Sequence, residues 1–218
     1  MEITDINSYH IDYEMDAPFE PSWYPGFEQH VHKVQLYEVE TDAGISGITS
    51  VTGDAARVDS LDLAREYLVG EDPRNIEQRL DDLDSLNSYG PRPWHFEIAF
   101  WDIKGKEVGK PIHELLGTYR ERIPAYASTY HGDEAGGLDS PAAFADFAEE
   151  CRDAGFGGFK IHGWGGGDDS RDLRREIEAV HAVGERVGSE MDLMHDPACE
   201  LETFADALKL GRALDAQG

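Results

Sequence analysis

Basic residues are few in this chain. Its 19 Lys and Arg stand against 45 Asp and Glu, giving a formal net charge of −26, and the only lysines are Lys33, Lys104, Lys106, Lys110, Lys160 and Lys209. No basic cluster interrupts the acidity, so phosphate backbones and anionic membrane surfaces are repelled at long range, which argues against nucleic-acid and membrane partners. Cysteine is scarcer still: Cys151 and Cys199 stand far apart, without a CxxC or Cys/His zinc spacing. A disulfide framework has no support, and a reducing, cytoplasmic setting is expected. No apolar stretch approaches the length of a membrane span, and the N-terminus MEITDINSYHIDYEMD lacks the basic and apolar regions of an export signal. There is no internal repeat or low-complexity tract beyond the strand–helix rhythm described below.

Hydrophobic residues make up 40% of the 218 and aromatics 10%, enough for a core in one domain or two small ones. The acidic residues are spread along the chain rather than gathered in a tail. That distribution predicts adaptation to high salt, where screening removes the self-repulsion.

Residues 2–11 and 31–40 alternate as strands do, and Thr41-Asp42-Ala43-Gly44 supplies a turn before ISGITSV, so an antiparallel meander is expected. Between its first two strands, DAPFEPSWYPGFEQH is rich in Pro, Gly and aromatics, the composition of a covering lid over residues 17–30. From Ser60 the spacing becomes helical through Leu61, Ala64, Leu68, Ile76, Leu80, Leu83 and Leu86, then through WHFEIAFWDIKGKEVGK, which ends at Gly109 before Pro111. After Arg122 the rhythm is strand (123–129), helix (140–156), strand (158–164), helix (172–188), strand (191–198), helix (202–217), with Ser140 as an N-cap and Pro141 in the first turn. Such alternation builds a parallel sheet from βαβ units.

Reactive groups gather at the carboxyl ends of parallel strands. Lys160 and His162, one residue apart in GFKIHGW, point to the same face, and Asp196 ends the strand MDLMHDPA. A lysine there can serve as a base or electrostatic clamp, a histidine can titrate near neutrality, and an aspartate can ligate Mg²⁺. On these residues alone a strand cap, a rim histidine and a turn former remain open. The glycines of GWGGGDD lack both G-x-G-x-x-G and the Walker lysine, and Asp168 and Asp169 would repel phosphate. Cys199 has no activating environment legible in the sequence, and His30, His32 and His131 lie near the lid and the first strand end.

The run AFWDIKGKEVGKPIHELLG (99–117) resembles the enolase superfamily in its mandelate racemase/muconate lactonizing enzyme branch, matching at Ala99, Trp101, Asp102, Gly105, Lys106, Gly109, Pro111, Leu115, Leu116 and Gly117. The resemblance implies an α+β capping domain (1–120) followed by the start of an α/β, TIM-like (β/α)7β barrel (121–218, three βα units), incomplete in this chain. It also implies a Mg²⁺ ion stabilising the enediolate formed when a base removes the proton α to a carboxylate. The family's K-x-K pair at the second barrel strand falls on Lys160 and, with His in place of the second Lys, on His162. The first of its three metal carboxylates falls on Asp196, and the other two belong to later strands for which 218 residues leave no positions.

An acid-sugar dehydratase acting on a small hydroxy carboxylate is therefore expected, with Lys160 and His162 catalytic, Asp196 a metal ligand, and Trp23, Tyr24 and His30 of the lid contacting substrate. The alternatives are a racemase, epimerase or cycloisomerase of the same superfamily, or a catalytically incomplete fragment or split subunit completed by another polypeptide. A homo-oligomer is a further expectation from the family. The charge distribution makes a separate prediction: thermal unfolding followed by circular dichroism moves to steeply higher temperature from dilute buffer to molar KCl, and a flat salt dependence contradicts the high-salt reading.

Overall fold

A computed structural model describes residues 1–19, 28–52, 61–88, 93–129, 136–164, 172–198 and 201–217. The chain divides into two units, Met1–Glu14 with Val31–Glu121, and Met15–His30 with Arg122–Gly218.

The first unit holds most of the strands β1 (Ile3–Phe19) and β2 (Gln29–Thr41) and all of β3 (Gly47–Thr52), which form a sheet in the order β1-β2-β3. β1 runs well beyond the alternation expected over residues 2–11. The polar/apolar alternation continues through Tyr13 and Met15, and Pro18 is tolerated because β1 is an edge strand. The expected lid 17–30 thus carries strand at both ends, and its centre, 20–27, lies outside the described residues. Asn7 donates to Glu40 at 3.0 Å and Tyr9 to Glu38 at 3.2 Å, partners that step in opposite directions as an antiparallel ladder requires. β2 and β3 pair antiparallel, Leu36 opposite Ser50 and Val39 opposite Gly47, around a turn where Gly44 adopts φ 70°.

Three helices cover this sheet: α1 (Leu61–Leu68), α2 (Ile76–Ser85), which runs into a 3₁₀ turn at Leu86–Ser88, and α3 (Phe96–Val108). A short α4 (Ile112–Leu115) follows. Ile3, Ile6 and Val39 from the sheet meet Leu68, Leu83, Ala99, Phe100 and Ile103 from the helices, each large side chain contributing about 1.5–3 kcal/mol by burial. α3 lies so close to β3 that a Cβ at Gly47 would fall on the carbonyl oxygen of Ala99. Asp102 accepts the Ile48 amide at 2.9 Å, and Lys106 donates both to Asp102 (2.7 Å) and to the Ser46 carbonyl (2.8 Å). These bonds clamp the helix to the start of the strand. Arg79, 1% exposed, is compensated by Glu71 and by Asp82 at 2.8 Å, as a buried cation requires.

The second unit carries the parallel strands β4 (Ala127–Ser128), β5 (Gly158–His162) and β6 (Asp192–Asp196), in that order. The helices α5 (Pro141–Asp153), α6 (Leu173–Val187) and α7 (Phe204–Asp215) alternate with them. Their N-termini are capped by Ser140, Asp172 and Thr203, each accepting a backbone amide. The strand expected over 123–129 shrinks to two residues. Only Ala127, opposite Phe159, and Ser128, opposite Lys160, pair with β5 among the described residues. Phe159 and Ile161 bury against Phe144, Ala148, Val180 and Val183 of α5 and α6, which leaves Lys160 and His162 on the opposite face of the sheet. Among the described residues no helix is long and apolar enough to cross a membrane.

His95, 7% exposed, stacks on Tyr37 at 4.9 Å and meets the Phe96 ring at a 40° tilt with centroids 4.5 Å apart, and its buried Nε2 meets no hydrogen-bond partner among the described residues. Burial pushes its imidazole down to about 4. The unfolded chain takes up this proton near pH 6.5 and the folded one only near pH 4, so the contribution is full above pH 6.5 and is lost as pH falls through that window. Urea titrations should show the parent losing about 3 kcal/mol more than a His95→Phe variant between pH 6.5 and 4. Parallel curves for the two proteins overturn this.

Candidate functional site

The carboxyl ends of β5 and β6 bring three of the residues singled out by sequence onto one face. The in-register pairing sets Lys160 beside Met194 and His162 beside Asp196. Asp196 Oδ2 lies 2.9 Å from His162 Nε2 and 3.4 Å from Lys160 Nζ, while Asp196 Oδ1 accepts the Ala198 amide at 3.0 Å. The lysine ammonium also sits over the ring of Tyr126, 5.4 Å from its centroid.

Electrostatics follow from this packing. The Ala198 amide, with help from His162 and Lys160, pulls the Asp196 carboxyl down to about 2, so it is an anion at any physiological pH. Burial lowers the His162 imidazole, Asp196 opposes that shift, and Lys160 reinforces it. The cluster therefore joins a carboxylate, an ammonium and an imidazole biased toward its neutral form, which is the form that accepts a proton.

The remaining candidates fall elsewhere. His30, the second residue of β2, has a side chain 63% exposed and lies 3.2 Å from Glu28. Trp23, Tyr24, His131 and Cys199 lie outside the described residues.

Several supporting residues carried no signal of their own in the sequence. Thr129, just after β4, accepts the His162 amide at 2.8 Å and so ties two strand ends together. Glu176, in the first turn of α6, accepts the Trp164 amide at 2.8 Å and bonds His195 Nε2 at 3.0 Å. Trp164 itself donates to the Leu138 carbonyl at 2.7 Å and lies under the Arg175 guanidinium.

Magnesium prefers octahedral oxygen coordination, usually from one or two carboxylates with waters and substrate oxygens. Asp196 is an ionised oxygen donor, but both its oxygens are engaged and cationic groups flank it. Among the described residues no group of three or more His, Cys, Asp or Glu could hold a metal ion. The described residues alone do not fit a Mg²⁺ site.

A sheet-and-helix unit followed by parallel βα units with charged groups at the strand ends defines the start of an enolase-type architecture. Residues 18–117 match the family model described as "Mandelate racemase / muconate lactonizing enzyme, N-terminal domain", and residues 143–218 match "Enolase C-terminal domain-like". The chain belongs to the mandelate racemase/muconate lactonizing enzyme family of the enolase superfamily.

It is 33% identical to the D-galactarolactone cycloisomerase of Agrobacterium fabrum over 97% of this chain and 55% of that protein. It is 29% identical to the D-gluconate dehydratase of Thermoproteus tenax over 76% of this chain and 38% of that protein. The solved structure of a D-glucarate dehydratase from Agrobacterium tumefaciens complexed with magnesium superposes with a TM-score of 0.85 at 29% identity, covering 100% of this chain and 59% of that one. The chain thus spans about half the length of the relatives it matches.

Because the Asp196 charge opposes the effect of burial on His162, an Asp196→Asn variant should show the His162 imidazole titrating at lower pH than in the parent, read by NMR of the ring protons. A rise, or no movement, contradicts the coupling.

Proposed function

We propose that the protein acts in removal of the proton α to the carboxylate of a small hydroxy acid, with dehydration of an acid sugar as the overall reaction. The observation that carries this is the convergence of Lys160 and His162 on Asp196 at the ends of two adjacent parallel strands. The names of the relatives agree with it, since they include a gluconate dehydratase and a glucarate dehydratase.

In this reading Lys160 is the base or the group that polarises the substrate carboxylate, and His162 is the second acid/base. The base takes the α proton, the electron pair forms a C=C bond, and the β-hydroxyl leaves as water with a proton from the acid. The enol so formed tautomerises to a 2-keto-3-deoxy acid. Trp23, Tyr24 and His30 would close over the substrate from the lid. Magnesium is part of this proposal as the ion of the family: Asp196 would be one ligand, and the other carboxylates it requires are not among the described residues. A cytoplasmic location and assembly into oligomers, or with a complementing barrel fragment, belong to the same proposal.

Epimerisation or cycloisomerisation shares the first proton transfer, and the likeness to a cycloisomerase favours keeping it as the second reading. Product analysis separates the two, because dehydration yields a 2-keto-3-deoxy acid lighter than its substrate by one water, whereas epimerisation and cycloisomerisation conserve the mass of the substrate.

The proton step is tested by incubating the protein with Mg²⁺ and a panel of aldonic and aldaric acids in D₂O and following deuterium at C2 by NMR. Exchange is expected, reduced about 100-fold or more in Lys160→Ala. Undiminished exchange in that variant removes the lysine assignment, and no exchange with any acid removes the proposed reaction.

A further inference from the structure

We infer that Glu176 and His195 form a positioning pair that fastens the ends of β5 and β6 to α6 and thereby holds Lys160, His162 and Asp196 within reach of one another. The inference rests on the reading of those three residues as the reacting cluster and adds two residues on the opposite face of the sheet.

One carboxylate does both jobs. Glu176 Oε1 accepts the amide of Trp164, two residues beyond His162, and Oε2 accepts from Nε2 of His195, the residue immediately before Asp196. The clip therefore grips each strand at its reacting end. Register reinforces it, since Ile161 stands beside His195 and His162 beside Asp196, so fixing the His195 ring on the helix side fixes the Asp196 carboxylate on the other. Gly163 leaves the room that this needs: a Cβ there would fall on the Glu176 carboxylate.

The pair is enclosed. The His195 side chain is 2% exposed and that of Glu176 is 16% exposed. The His195 Nδ1 is buried and meets no partner among the described residues, so Glu176 is the ring's one hydrogen-bonding tie there. An apolar pair would fill the same space without the desolvation penalty that a buried carboxylate carries. What an apolar pair lacks is direction, because short charge-assisted hydrogen bonds fix angle and distance where dispersion contacts do not.

A role confined to stability and a positioning role are distinguished by labelling His162. The intact 218-residue chain is treated with diethyl pyrocarbonate at pH 7, and peptide mass spectrometry gives the carbethoxylation rate of His162 relative to the exposed His113. Glu176→Ala and His195→Leu should each raise that ratio about fivefold, the factor corresponding to one net hydrogen bond lost. Glu176→Gln, whose amide oxygen still accepts from Trp164 but whose amide nitrogen cannot accept from His195, should raise the ratio no further than His195→Leu does. Asp196→Ala, which removes the contact directly, should raise the ratio at least as much as Glu176→Ala.

If Asp196→Ala raises the ratio while Glu176→Ala and His195→Leu leave it at the parent value in chains that retain their circular dichroism, the positioning role is overturned and the cluster stands. If Asp196→Ala also leaves it unchanged, the cluster falls and this inference falls with it. Should Glu176→Ala not fold, His195→Leu, which keeps the buried volume filled, decides by the same criterion.

Discussion

The candidate site depends on the in-register parallel pairing of β5 with β6. Side chains alternate across a sheet with a period of two, so a slip of one residue along either strand would turn that strand's reacting groups to the helix side. Burial of Phe159 and Ile161 against α5 and α6 prevents that slip on β5. The choice of face is thus made by apolar residues that take no part in chemistry. Thr129 then ties β4 to β5, and Glu176 with His195 ties β5 to β6, so polar bonds refine what the core has already decided.

The same separation between packing and chemistry explains why the family could be read while the reaction could not. Asp102 and Lys106, two residues of the run that carries the resemblance, are spent on clamping α3 to β3. Gly105 belongs to the same device, because a Cβ there would crowd the Lys110 carbonyl oxygen, and Gly109 ends α3 in the left-handed conformation. These contacts describe how a helix meets a sheet and a turn. They identify the architecture, and an architecture of this kind hosts many reactions.

Local signals with a short range were legible in the sequence. The Ser140 cap, the Gly109 stop and the turn at Gly44 are all decided within a few residues, and each appears where the sequence places it. The alternation of Lys160 and His162 on β5, with Asp196 ending the next strand, showed three groups of the cluster. Glu176 did not show, because a glutamate in the first turn of a helix reads as an ordinary solvated residue favoured by the helix dipole. Its partners lie 12 and 19 residues away, and only the folding of α6 over both strand ends brings them together. The strand expected over 123–129 was overextended for a related reason: apolar character persists through Ile123, but a strand exists only where a neighbour offers its backbone.

The net charge of −26 sits uneasily beside a proposed carboxylate substrate, and the length scale of electrostatics resolves the tension. At ordinary ionic strength the Debye length is about 8–10 Å, and at molar salt about 3 Å, so acidic residues farther away than that are largely screened from a small anion. What such an anion meets at the strand ends is the ammonium of Lys160 beside an imidazole, with the Asp196 charge already shared between them. Within those few ångströms the balance is set by three side chains and not by forty-five. The global charge therefore bears on how the chain tolerates its solvent, while the sign of the ligand is decided at the ends of β5 and β6.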